Sequence, residues 1–274
     1  MQTLQSNIAL PQNTKIEVES GFQTKSPLMK DIYRKVKSIA NLDMHLVLIG
    51  EIGVGKKSLA HAIHKISRRA KGPFHSFYCI NANEEEFKAA FWEQVHVENE
   101  HLHLRYDVLE KASNGILYLN KFSDLSNEFM LNIIDSYIHG CNQLFRYNIA
   151  TSPRLIISVN QDSFQQLIKT EAWTKLLALL NPVSIMIPPL RERREDIFAL
   201  ILAFIEDAKR SEPAWSHLSI TDDAMRECLA YRWPGNVLQL KNAILQGALL
   251  SQGQLIKSHH LPFSMNWQLP YQDE

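Results

Sequence analysis

Gly50-Glu51-Ile52-Gly53-Val54-Gly55-Lys56 has the residue types and spacing to hold a phosphate. Gly-x4-Gly-Lys between a short apolar run and a helical pattern aims backbone N–H groups and a positive helix end at phosphate oxygens. Glycine serves here because a Cβ would block close backbone approach. Lys56 reaches the outer phosphates as a point charge. The full pattern continues with Ser or Thr to hold magnesium, but this chain has Lys57 and then Ser58. The bland alternative is a glycine turn that opens a helix and binds nothing. A second stretch bears on the same chemistry: Gly115-Ile116-Leu117-Tyr118-Leu119 reads as a hydrophobic strand, and it ends in Asn120-Lys121. A working nucleotide hydrolase ends that strand in Asp-Glu. The frame for nucleotide chemistry is present without the acids that drive it.

These residues need strands and helices to position them. Leu46-Val47-Leu48-Ile49 is a buried parallel strand by its apolar run. Further strands are expected at 74–80, 115–119, 154–159 and 183–187. Helices are expected at 27–42, 58–69, 84–94, 126–139 (with Gly140 as its C-terminal cap) and 164–180, the last with room for a break. Alternating strands and helices with apolar strands predict an α/β fold, a parallel sheet covered on both faces. After Pro188-Pro189 only helices follow, at 194–209, 221–232 and 236–251, with Thr221 as an N-cap before Asp222-Asp223. The expected organisation is a flexible tail at 1–20, an α/β domain at 21–188, a helical domain at 189–262 and a tail at 263–274. No internal repeat is evident.

Composition narrows the function classes. Lys plus Arg and Asp plus Glu balance at 29 each, which argues against a general nucleic-acid surface. Cys79, Cys141 and Cys228 are widely spaced and unpatterned, so a reducing cytoplasm fits better than a disulfide framework. Met1 to Pro11 lacks the layout of a signal peptide, and the longest apolar run, Ile197 to Ile205, is too short to span a membrane. His101-Leu102-His103 and His259-His260 have no Cys or acid at ligand spacing, so no metal site is assigned.

From about Gly21 to Pro262 the chain resembles the AAA+ domain of bacterial enhancer-binding proteins, the activators of sigma-54 RNA polymerase. The carriers are Ser26-Pro27-Leu28-Met29, the phosphate loop, Ala62 to Phe74, Pro188-Pro189-Leu190-Arg191-Glu192-Arg193-Arg194-Glu195-Asp196-Ile197 and Trp233-Pro234-Gly235-Asn236-Val237. The resemblance implies a P-loop NTPase sandwich followed by a small helical lid, ring assembly, and ATP between subunits. Many members carry Glu at the position of Lys57. The site residues implied are Gly50, Glu51, Ile52, Gly53, Val54, Gly55, Lys56, Lys57 and Ser58, joined by Asn120, Lys121 and the polar sensor Asn160.

Several positions depart from the family. The family Asp that holds magnesium is Asn120, and the Glu that orients the attacking water is Lys121. The arginines that reach a neighbour's γ-phosphate align with Trp173 and Leu179, and the lid arginine that senses nucleotide aligns with Leu238. The sigma-contacting Gly-Ala-Phe-Thr-Gly-Ala element belongs between Phe91 and Leu109, where Trp92 to His103 contains neither the motif nor a glycine. No DNA-binding module is expected in this chain. The resemblance and its departures imply a degenerate member, with no catalytic residue assigned. It binds ATP or ADP with little or no need for magnesium and acts through a protein partner: an active AAA+ relative or an RNA polymerase-associated factor, with homo-oligomers allowed. The alternatives are an ATPase with unusual residues, a cyclic dinucleotide sensor, and a DNA-binding regulator cut short.

Overall fold

The computed structural model describes residues 24–79, 93–97, 101–105, 107–146 and 148–263. Helix α1 (Pro27–Ala40) leads into β1 (Leu46–Gly50), α2 (Lys56–Ile66) and β2 (Phe74–Tyr78). Then come β3 (Glu93–Val97), β4 (His101–Arg105), α3 (Asp107–Lys111), β5 (Ile116–Asn120) and α4 (Asn127–Phe145). The α/β part closes with β6 (Arg154–Asn160), α5 (Gln161–Leu167), α6 (Glu171–Leu180) and β7 (Val183–Met186). Helices α7 (Glu195–Ser211), α8 (Asp222–Ala230) and α9 (Asn236–Leu250) follow, with a two-residue parallel pairing of β8 (Ser219–Ile220) and β9 (Leu255–Ile256).

The main sheet has the order β2-β5-β6-β1-β7, and every pairing in it is parallel. Its strands alternate between two buried faces. Val47, Ile49, Leu117, Leu119, Ile157 and Val159 pack with α4 and α6 on one side. Leu46, Leu48, Ile116, Tyr118 and Ile156 pack with α1 and α2 on the other. The alternation is that of a sheet covered on both faces. A third core draws only on residues from Leu190 onward, centred on Trp233, whose indole N–H donates to the Cys228 carbonyl at 2.8 Å.

The expected elements shift in instructive ways. The helix placed at 126–139 does not stop at Gly140; it runs to Phe145 and ends where Arg146 turns left-handed at φ 48°. Cys141, Leu144 and Phe145 continue the stripe of Ile133, Ile134 and Tyr137 into the core. That packing outweighs the roughly 1 kcal/mol propensity cost of a mid-helix glycine. The 164–180 segment is two helices, the second capped by Thr170, whose hydroxyl accepts from the Trp173 N–H at 3.2 Å. Of the expected 84–94 helix, 84–92 lie outside the described residues, and 93–94 open the antiparallel hairpin β3–β4 instead. That hairpin occupies the segment where the resemblance places the sigma-contacting loop. Thr221 caps α8, accepting from the Ala224 N–H at 3.3 Å. Of the expected tails at 1–20 and 263–274, all but Phe263 lie outside the described residues. Among the described residues no helix is long and apolar enough to cross a membrane.

Candidate functional site

Parallel pairing brings the carboxyl ends of the strands to one rim, where open α/β sheets bind ligands. Gly50 at the end of β1 is the register partner of Asn160 on β6, and Asn120 at the end of β5 is the partner of Tyr78 on β2. The glycine loop rises from this rim. Gly53 and Gly55 are left-handed, at φ 78° and 100°, a conformation that favours glycine. Gly55 caps α2 with no side-chain hydrogen bond to the first turn. Those N–H groups and the positive end of an eleven-residue helix therefore face the loop, ready for an anion.

Lys56 stands inside this loop. Its ammonium donates to the carbonyls of Gly50 and Glu51 at 2.6 and 2.9 Å. Burial lowers its pKa from 10.5 to about 8; Asp124, Asp162 and Glu51 oppose the shift, and Lys121 adds to it. Neither Asp124 nor Asp162 belongs to a recognisable motif in the sequence. Each lies within a few residues of a strand end that was assigned, and that proximity was the available signal.

At the end of β5, the Ser158 hydroxyl joins the two altered positions. It donates to Asn120 Oδ1 at 3.1 Å and accepts from the Lys121 N–H at 2.9 Å. Lys121 is exposed and left-handed at φ 60°, opening the short turn Phe122–Asp124. Asn160 caps α5, its side chain accepting from the Asp162 N–H at 3.4 Å, and its own N–H donates to the Ser123 hydroxyl at 3.0 Å. Lys57 lies apart from Lys56: its ammonium sits 5.2 Å above the Tyr78 ring. Ile52 and Ser58 are exposed and Val54 is buried.

Residues from beyond Pro188 complete the site. The Glu51 carboxylate accepts from both terminal nitrogens of Arg191, at 2.8 and 2.6 Å, and from the Asn236 amide at 3.1 Å. The Arg191 hydrogen bond holds its pKa below the ordinary value. Asn236 also donates to the Ile52 carbonyl and accepts from the Leu190 N–H, at 3.0 and 2.7 Å. Arg193 donates to the Val54 carbonyl at 2.6 Å, and the Leu238 N–H to the Gly53 carbonyl at 3.2 Å. A Cβ on Gly53 would lie 2.3 Å from the Gly235 carbonyl oxygen, so loop and helical part touch backbone to backbone. Arg191, Arg193 and Asn236 lie in the segments that carry the family resemblance, but no spacing in the sequence points to their contacts with the loop.

Trp173 is 6% exposed and stands edge-on to Phe164 at 5.5 Å within the core. Leu179 and Leu238 are exposed.

The sigma-54 interaction domain family matches residues 22–186. The chain belongs to this family. The AAA+ ATPase lid domain matches residues 191–273. Among curated relatives, the regulatory protein AtoC of Escherichia coli K12 is 32% identical over 247 residues, covering 87% of this chain and 52% of AtoC. A Nif-specific regulatory protein of Azotobacter vinelandii is 29% identical over 234 residues, covering 83% of this chain and 44% of that protein. The chain thus spans about half the length of these relatives. Among solved structures, NtrX from Brucella abortus in complex with ATP superposes with a TM-score of 0.70 at 25% identity, covering 90% of this chain and 57% of that one. NtrX with ADP gives 0.69 at 25% identity, with coverages of 89% and 56%. The fold is a P-loop NTPase sandwich of the AAA+ type with a helical lid.

Proposed function

We propose that this chain binds ATP or ADP on its phosphate loop, hydrolyses it poorly or not at all, and regulates transcription through contact with another protein. In this reading residues 21–188 are the nucleotide-binding domain and 189–262 the lid, in keeping with cores that divide near Pro188. The observation that carries it is the end of β5. Asn120 lends its amide oxygen to Ser158, and Lys121 adds a positive charge where a hydrolase needs a carboxylate.

The residues present suit a polyphosphate. The uncapped first turn of α2, the two left-handed glycines and Lys56 form a cradle for anionic oxygens. They do not suit magnesium, a hard cation that favours carboxylate and water oxygens. Lys121 and Lys56 offset phosphate charge in its place, and Lys57 joins them on leaving Tyr78. NtrX, a structural neighbour, has been crystallised with both ATP and ADP. Trp173 supports the loss of turnover: it is locked in the core, where the family has a residue reaching across subunits. The partner in this reading is an active AAA+ relative or a polymerase-associated factor, with self-assembly allowed. Steady-state phosphate release at several protein concentrations tests the proposal; ordinary ATPase turnover abolished by Lys56→Ala would refute it.

A second reading rests on Asp124 and Asp162, whose charges act on Lys56. They are the acids an ATPase with unusual residues would draw on. If turnover is found and Asp124→Asn abolishes it while leaving ATP binding intact, this second reading holds.

A further inference from the structure

The amino-terminal rim of the main sheet, opposite the phosphate loop, holds a cavity of about 270 Å³. His45 comes just before β1 and Arg154 opens β6, so both lie at this rim. Ile138, Ile149, Pro153, Leu179 and Leu180 supply apolar walls. The Tyr137 ring stands edge-on to His45 at 5.6 Å and sends its hydroxyl to the Pro153 carbonyl at 2.7 Å. An apolar cavity of about 150 Å³ takes up benzene, and ligand pockets begin at roughly 300 Å³. The space therefore suits one substituted ring or a fused pair.

The polar groups at this cavity are unevenly satisfied. Arg154 is 1% exposed, and among the described residues its guanidinium donates to the carbonyls of Met44, Ala40 and Ile39, at 2.7, 2.8 and 3.1 Å. Among the described residues no carboxylate bonds to it directly; Asp43, whose charge favours its cationic form, is bonded to Arg69 at 2.7 Å. A guanidinium carries five N–H groups, so two of those on Arg154 remain beyond these bonds. Asp43 thus serves two buried guanidiniums with one charge, and a buried cation that shares its carboxylate gains from a further anion. His45 accepts the Leu155 N–H on Nδ1 at 3.1 Å, which leaves Nε2 to carry the proton in the neutral ring. Nε2 has no partner among the described residues. Burial, with Arg154 and Arg69 beside it, keeps that ring neutral by lowering its pKa to about 4. Among the described residues the cavity thus combines apolar walls, an unpartnered N–H donor and one cation more than its carboxylate.

We propose that this cavity binds a small aromatic carboxylate, its ring between the apolar walls and its carboxylate at the His45 and Arg154 end. The site is separate from the phosphate loop and does not depend on the function proposed above.

The test uses the full chain and three acids: benzoate, 4-hydroxybenzoate and indole-3-carboxylate, each beside its primary amide. Ligand-observed NMR and calorimetry should show at least one acid saturating, about tenfold or more tighter than its amide, a ratio that measures the cationic end. Binding should persist with ATP in excess. It should be lost in Leu179→Trp, which fills the cavity from an exposed position, or in Ile149→Trp if the first variant does not fold by circular dichroism. Three results would overturn the proposal: no acid saturates, acid and amide bind alike, or binding survives in a folded variant.

Discussion

Glu51, in the phosphate loop, and Arg191, just past the two prolines, meet in a two-pronged ion pair with N–O distances of 2.6 and 2.8 Å. The pair ties the loop to the lid, and Asn236 braces the same carboxylate. Its geometry places it at the upper end for an exposed pair, so a double-mutant cycle of Glu51→Gln and Arg191→Ala should give a coupling of about 0.5–1 kcal/mol. The single variants should speed amide exchange at the start of α9 more than at its end. The pH dependence follows from the lowered pKa of Glu51. The contribution is fully present above the ordinary value of 4.5 and is lost as pH falls through the lowered one. Chemical-shift titration of α9 against pH, in wild type and Glu51→Gln, reads this directly.

Lys56 gives a second pH signature. Phosphate needs its ammonium, which titrates at about 8 in the free protein. ATP affinity should fall as pH rises above about 8, by at most tenfold per unit for one proton. Free-protein stability should move the other way: the unfolded chain holds this proton more tightly, so this group's contribution rises between about 8 and 10.5. Calorimetric titration with ATP across this range checks the first claim, and urea denaturation the second. An affinity that stays flat would contradict a charged Lys56 at the phosphates.

Restoring acids at the end of β5 should restore a metal requirement. In wild type, ATP should bind with nearly equal affinity with and without EDTA. In the double variant Asn120→Asp, Lys121→Glu, binding should become strongly magnesium-dependent, because two carboxylates replace an amide and a cation beside the triphosphate. Hydrolysis need not follow, because Trp173 and Leu179 remain.

Replacing those two positions with arginine should give opposite outcomes. Leu179 is 54% exposed, so Leu179→Arg should change stability by no more than about 0.5 kcal/mol. Trp173 is packed against Phe164, so Trp173→Arg loses that packing and buries an unpaired charge, costing about 3–5 kcal/mol or more. Urea midpoints separate the two.

With sigma-54 polymerase in a reconstituted reaction, this chain alone should not open promoters. The hairpin β3–β4 stands in the segment where the resemblance places the sigma-contacting motif, and that motif is missing from the sequence. Open-complex formation driven by the chain alone would count against the proposed function.

Local features were the legible ones. The glycine-lysine spacing, the apolar strand ahead of it and the change of pattern at Pro188-Pro189 are each set by a few neighbouring residues, and the α/β fold with its helical lid followed from them. Gly140 misled because its propensity is local, whereas the packing of Cys141 and Phe145 that carries the helix past it is tertiary. The strand at 93–97 alternates polar residues with Val95 and Val97, and the opposing strand alternates Leu102 and Leu104 with polar residues, so a period-two signal was there to be read. The contact between Glu51 and Arg191 spans 140 positions, and no spacing rule reaches that far. Ser158 was equally silent: a small polar residue within an apolar strand shows its role only when β5 lies beside it.

Asp196 is 1% exposed at the start of α7, and its carboxylate gathers the Thr24 hydroxyl and the N–H groups of Lys25 and Ser26 at 2.6–2.9 Å. The stretch of chain entering α1 is therefore bonded to the lid. Tension applied ahead of Thr24 is delivered to the base of α7, beside Arg193 and its grip on the phosphate loop. A pull or twist at that entry therefore bears mechanically on the seam where the lid holds the phosphate loop.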